Sequence, residues 1–173
     1  MLIRKFKSSL FIVDVQEKLV SVMPKPHKFI DNIIKLQKAA NILQVPITLT
    51  EQYPKGLGRT IDKIRENTKN AAVEKTDFSI AIDSTKIVNN MIICGIEAHV
   101  CVLQTAIESA DNDMKVYVVQ DAVSSRYEKD YLMALSRLDK HPNIQIVSCE
   151  MVLFEWLRSS DHPEFKTISQ LIK

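Results

Sequence analysis

A chain of 173 residues is long enough for one well-buried core, and residues 1–173 read as a single domain. Hydrophobic residues at 46% and charged residues at 25% describe an ordinary globular composition, and a formal net charge of +2 supplies no basic face of the kind nucleic acids need. Three cysteines, Cys94, Cys101 and Cys149, form an odd set without metal-ligand spacing, which argues against a disulfide framework and for a reducing compartment. No apolar run approaches the length of a membrane span, and the first strand begins by about residue 9, too early for a cleavable signal. The cytoplasm is the default location, with mitochondrial association left open.

In chain order, Ser9 to Val15 is a mostly apolar run with Asp14 near its end, the pattern of a central parallel strand. Lys28 to Leu43 places Phe29, Ile30, Ile33, Leu36, Ala40 and Leu43 on a helical stripe. Pro46 to Thr50 is the next strand, Thr60 to Asn67 a short helix, and Ala71 to Lys75 a short strand. Met91 to Gly95 is a strand that leads into a helix over Val100 to Asn112. Lys115 to Gln120, Lys129 to Leu138 and Ile144 to Val147 continue as strand, helix and strand, and a helix through Met151 to Leu157 follows. Such alternation means a parallel sheet with helices on both faces, an α/β fold. Ligands in such folds bind beyond the carboxyl ends of the strands. In the tail, Phe165, Ile168, Leu171 and Ile172 recur at helical spacing, to pack on this chain or on a neighbour. Trp156 and Phe154 offer either core or an apolar patch.

Cys101 falls where the helix after the fourth strand begins. A thiol there faces unpaired backbone N–H groups and the positive end of the helix dipole, which favour thiolate and could hold the oxyanion of a carbonyl under attack. Asp14 and Lys75 end the first and third strands at the same sheet edge. An acid, a cation and a thiol converging there make a nucleophile with its base and charge partner. Each has a plainer role open to it: an inert core cysteine, a strand-end acid, a solvated loop lysine. His99 is two residues from Cys101, yet across a strand-to-helix turn the two need not face each other. A solvent or subunit contact suits His99 better.

Three segments stand in order. They are Phe11-Ile12-Val13-Asp14-Val15-Gln16, Glu74-Lys75-Thr76-Asp77-Phe78-Ser79 and Cys94-Gly95-Ile96-Glu97-Ala98-His99-Val100-Cys101-Val102. Over nearly the whole chain the sequence resembles the isochorismatase-like cysteine hydrolases. Thr50-Glu51-Gln52-Tyr53-Pro54-Lys55-Gly56-Leu57-Gly58 points to the branch of isochorismatase domain-containing proteins. The resemblance implies a three-layer α-β-α sandwich with a Rossmann-like, six-stranded, mainly parallel sheet in the order 3-2-1-4-5-6. It implies an Asp14–Lys75–Cys101 triad, and a cis peptide between Ile96 and Glu97 that aims the N–H groups of Val100 and Cys101 into an oxyanion hole. It also implies hydrolysis of a small amide or related carbonyl compound through a thioester, in a homo-oligomer of two or more copies. Gln16, Gln52, Tyr53, Leu57 and Phe78 are expected to shape the substrate pocket. No cofactor is called for. The nicotinamidase branch binds a metal through an Asp and two His near the second strand. Leu49-Thr50-Glu51-Gln52-Tyr53 has no histidine, and His27, His99, His141 and His162 lack ligand spacing, so no metal is expected.

Other functions compete. A dinucleotide-binding domain shares the rhythm, but Gly56, Gly58 and Gly95 form no Gly-x-Gly-x-x-Gly turn. A protein of this fold could instead serve as an interaction scaffold. A nuclease is the weakest alternative, for want of a carboxylate metal cluster and a basic groove.

Overall fold

The structure, a computed structural model, describes residues 2–68, 70–80 and 89–172. Strands β1 (Ser8–Val13), β2 (Ile47–Gln52), β3 (Val73–Lys75), β4 (Asn90–Ile96), β5 (Lys115–Ser124) and β6 (Ile144–Val147) form one sheet. Its order is β3-β2-β1-β4-β5-β6 and every pairing is parallel. The helices are α1 (Glu17–Val20), α2 (Pro26–Leu43), α3 (Pro54–Leu57), α4 (Asp62–Arg65), α5 (Leu103–Asp111), α6 (Glu128–Leu138), α7 (Cys149–Leu157) and α8 (Phe165–Ser169).

Strand side chains alternate between the two faces of a sheet, so each central strand feeds two cores. Leu10 and Ile12 of β1, Ile92 and Cys94 of β4, and Tyr117 and Val119 of β5 pack with Ile33 and Leu36 of α2 and Val152 and Trp156 of α7. Phe11, Val13, Met91, Ile93, Val116 and Val118 turn the other way, onto Val102, Ala106 of α5 and Ala134 and Leu138 of α6. The result is the three-layer sandwich the resemblance implies. Trp156 is buried in the first of these cores and donates to Ser8 Oγ at 3.2 Å, whereas Phe154 is 40% exposed and packs on Phe165. The tail folds back on its own chain, with Ile168 fully buried in the same core as Trp156.

Several boundaries differ from the sequence expectation. β1 stops at Val13, because Asp14 has a left-handed backbone with φ 52° that ends the strand. β3 is shorter than Ala71 to Lys75 and begins at Val73, and among the described residues it pairs with β2 alone. The helix expected over Thr60 to Asn67 is the single turn α4. The helix expected to start at Val100 opens earlier as a π-helical turn, Ala98–Val102, before α5 begins. β5 runs on to Ser124 because it bulges: Ile93 faces Val118 but Gly95 faces Val123.

The chain moves from β1 outward to β3 and then returns to β4 on the far side of β1. The carboxyl ends of β1 and β4 therefore flank the switch point where such sheets open a crevice. Gly95 marks how tightly they approach. Its φ is 117°, and a Cβ there would stand 2.1 Å from the Val13 carbonyl oxygen. Only glycine fits, since backbone on both sides has to shift to admit a methyl. Gly95→Ala is expected to lower unfolding free energy by about 3 kcal/mol or more. Urea denaturation measures it, and an unchanged midpoint would contradict the packing described.

Candidate active site

Asp14 follows the end of β1 and is fully buried. A carboxylate cannot remain there without donors. Its Oδ1 accepts from Thr50 Oγ1 at 2.6 Å and its Oδ2 from Lys75 Nζ at 2.8 Å. Lys75 closes β3 and its side chain is 8% exposed. Beyond Asp14, its ammonium donates to Gln52 Oε1 (2.7 Å) and to the carbonyls of Phe78 (3.0 Å) and Asp77 (3.3 Å). Removing one partner from such a pair strands the other charge in the interior.

Cys101 lies in the π-helical turn after β4 and is 6% exposed. Burial and the Asp14 carboxylate push its thiol up to about 12, while Lys75 acts in the opposite sense. The structure thus brings the acid, the cation and the thiol together. It reverses one expectation: the helix end does not leave a standing thiolate. Loss of hydration on burial is the larger cause, and the neighbouring carboxylate adds to it. Cys94 and Cys149, buried in the core on the opposite sheet face, are also pushed up, chiefly by burial.

The peptide between Ile96 and Glu97 is cis. The Val100 N–H donates to Glu97 O at 3.1 Å, so this member of the expected oxyanion pair is turned onto its own tight turn. The Val102 N–H shares the same acceptor at 3.2 Å. His99 Nδ1 lies 3.0 Å from Ser125 Oγ and 3.4 Å from Glu97 Oε2, so its ring is engaged within the chain and away from the role of a base for Cys101.

The five expected pocket residues part company. Gln16 is fully buried and its amide is spent: Oε1 accepts from Gln52 N at 2.8 Å, and Nε2 donates to Gln52 O (3.0 Å) and Gly58 O (2.7 Å). It clamps backbone, with its amide atoms paired inside the protein. Gln52 is buried beside Lys75. Leu57 is half-buried at the end of α3. Tyr53 is 56% exposed, with a left-handed φ of 37°, and its ring lies over Gly56, where a Cβ would come within 2.5 Å. Tyr53, Lys75 and Thr76 line an open cleft of about 570 Å³. Exposed Phe78 borders a second cleft with Gln104 and Glu108 of α5.

Sequence reasoning passed over Thr50, whose hydroxyl completes the Asp14 carboxylate, and Glu51, whose Oε1 accepts from Thr60 N (2.7 Å) and Thr60 Oγ1 (2.8 Å). It also passed over Arg126, whose Nε meets Glu97 Oε1 at 2.7 Å. Polar residues at the end of a buried strand were the available signal for the first two. Among the described residues, no group of three or more His, Cys, Asp or Glu is placed to hold a metal ion, and no helix is long and apolar enough to cross a membrane.

Residues 8–150 match the family model described as Isochorismatase domain. The chain belongs to the isochorismatase family. Isochorismatase domain-containing protein 2 of Danio rerio is 37% identical over 173 residues, covering 95% of this chain and 86% of its own. The structure of the MAR1 ribonuclease from Caenorhabditis elegans superposes with a TM-score of 0.93 at 39% identity, covering 99% of this chain and 92% of that one. The YcaC gene product of Escherichia coli, described as an octameric hydrolase of unknown specificity, shares the fold at a TM-score of 0.88 and 22% identity, over 99% of this chain and 89% of its own.

A thiol pushed up to about 12 reacts through a small thiolate fraction that grows tenfold per pH unit below that point. The iodoacetamide rate at Cys101, followed by mass spectrometry, is therefore expected to rise log-linearly from pH 7 to 9.5 without a plateau. Lys75→Met removes the group that lowers the thiol pKa and should slow alkylation at every pH, while destabilising the fold by about 3 kcal/mol. A plateau near pH 7, or an unchanged rate in Lys75→Met, would contradict the arrangement.

Proposed function

We propose that the chain is a cysteine hydrolase acting on a small amide or related carbonyl compound, with Cys101 as nucleophile, Asp14 as general base and acid, and Lys75 as their charge partner. The observation that carries this is a buried carboxylate–ammonium pair beside a buried thiol at the switch point of the sheet. Perturbed titratable groups gathered at a crevice favour chemistry.

Because the thiol is protonated at neutral pH, its proton must leave as the sulfur attacks. Asp14 takes it while the Cys101 Sγ–C bond forms at the carbonyl carbon. The Cys101 N–H is our choice of donor for the resulting oxyanion, with the Val100 N–H shared from Glu97. The C–N bond then breaks, Asp14 returns the proton to the departing nitrogen, and a thioester remains. Water attacks the thioester with Asp14 accepting its proton. The C–S bond breaks, the acid leaves, and the proton returns to sulfur. Tyr53, Leu57 and Phe78 shape the entry to this site. The protein works as a homo-oligomer; Leu132 and Met133, adjacent and exposed on α6, give an apolar surface that self-association would cover.

The 39% identical ribonuclease structure favours a second reading, phosphodiester cleavage in RNA. There Asp14 and Lys75 would act on a ribose hydroxyl and a phosphate, and Cys101 would be dispensable. The weak overall charge of +2 counts against it.

Screening small amides, esters and RNA against the wild type and variants separates the two. Asp14→Asn is expected to cut amide turnover by about 10²- to 10⁴-fold. It should also raise the iodoacetamide rate at Cys101, because the carboxylate that pushes the thiol up is gone. Cys101→Ala should abolish amide turnover. RNA cleavage that survives Cys101→Ala, with no amide turned over by the wild type, would favour the second reading.

A further inference from the structure

We infer that Gln52 is a positioning residue that holds the Lys75 ammonium against Asp14, and that Gln16 holds Gln52 in turn. The inference rests on the hydrolase reading and names the part that keeps its charge pair in register.

Asp14 and Lys75 do not come from neighbouring strands. β2 lies between β1 and β3, so the lysine must reach across it. Strands stand about 4.8 Å apart, which leaves about 10 Å between the two backbones. A four-carbon side chain spans that gap, but with many rotamers whose freedom is lost when it is fixed. The end of β2 supplies the fixing. Thr50 bonds to the Asp14 carboxylate at 2.6 Å, and two residues on, on the same side of the strand, Gln52 bonds to the lysine. Gln52 and Lys75 are register partners, so the amide stands directly beside the lysine it serves.

Three features make Gln52 more than a spare acceptor. Its contact to Lys75 Nζ, 2.7 Å, is the shortest of the four the ammonium makes, against 2.8 Å to Asp14. Its amide can face only one way: Nε2 donates to Thr76 O at 2.6 Å, and a flipped amide would set N–H against ammonium and oxygen against carbonyl. Its backbone is gripped on both polar atoms by the Gln16 side chain, at 2.8 Å and 3.0 Å. Gln16 is anchored in turn to Gly58 O at 2.7 Å. The whole chain from Gln16 to Asp14 is thus buried and paired, and a paired buried network rigidifies what it holds.

The choice of an amide over an acid has a chemical consequence. Glutamate at position 52 would accept from Lys75 equally well. It would also bring a second carboxylate to compete with Asp14 and Cys101 for one positive charge, and it would repel Thr76 O. A neutral acceptor aims the lysine without spending its charge.

The test uses iodoacetamide as probe on the 173-residue chain, with the Cys101 rate read by mass spectrometry at several pH values between 7 and 9.5. Gln52→Leu keeps the bulk and removes both amide bonds. The expected result is a fall in rate on the order of tenfold at each pH, one unit of thiol pKa, approaching the Lys75→Met rate. Gln52→Glu should fall at least as far. A merely space-filling residue would lower the melting temperature in Gln52→Leu and leave the Cys101 rate unmoved, and that outcome overturns the inference. Should Gln52→Leu not fold, Gln52→Met, unbranched and equally without an amide, gives the same comparison. If Lys75→Met slows alkylation and the Gln52 variants do not, the inference fails alone. If Lys75→Met also leaves the rate unchanged, the hydrolase reading falls with it.

Discussion

The pairing of a buried carboxylate with a buried ammonium across an intervening strand is the constraint on which this molecule turns. Each charge alone is intolerable in the interior, and together they are tolerable only when every remaining donor and acceptor is met. Asp14 divides its two oxygens between Thr50 and Lys75, and Lys75 spreads its protons over Asp14, Gln52 and the chain after β3. Satisfying the pair fixes the ends of β1, β2 and β3 relative to each other. Gly95, which admits Val13 to within methyl-excluding distance, fixes β4 against the same point. The thiol of Cys101 is carried to that junction by the turn that follows β4.

Much of this was legible in the sequence, for a physical reason. Apolar runs such as Ser9 to Val13 and Met91 to Ile93 face helices on both sides, so their uninterrupted hydrophobicity announces central parallel strands. Chemistry-bearing residues at strand ends, Asp14 and Lys75, could then be placed at one edge before any coordinates. Position along the chain did not reveal environment. The thiol pKa depends on how much water Cys101 loses and how near Asp14 comes, both properties of the packed state. The sequence offers Gln16 as a pocket residue and says nothing of its hydrogen bonds. Only the fold shows its amide consumed by Gln52 and Gly58. The π-helical turn was equally hidden, since Ala98 to Val102 carries no residue that forbids an ordinary helix.

A resting thiol, as opposed to a resting thiolate, has consequences for chemistry. It protects Cys101 from indiscriminate alkylation and oxidation, both of which track thiolate character. Under the proposed mechanism it would also tie attack to proton transfer, so that reaction would wait for an electrophile placed where sulfur and Asp14 can act together. A structural neighbour at 39% identity is described as a ribonuclease, whereas the proposed mechanism is that of a cysteine hydrolase. What separates these two chemistries is whether sulfur forms a bond.

That bond is the most direct thing to measure. Wild-type protein mixed with a reactive small ester or amide and quenched in acid within milliseconds to seconds should carry an acyl mass increment, and peptide mapping should place it on Cys101. In Asp14→Asn the increment should vanish or build up only slowly. Turnover of the same compound with no increment at Cys101, or turnover retained by Cys101→Ala, would contradict the account.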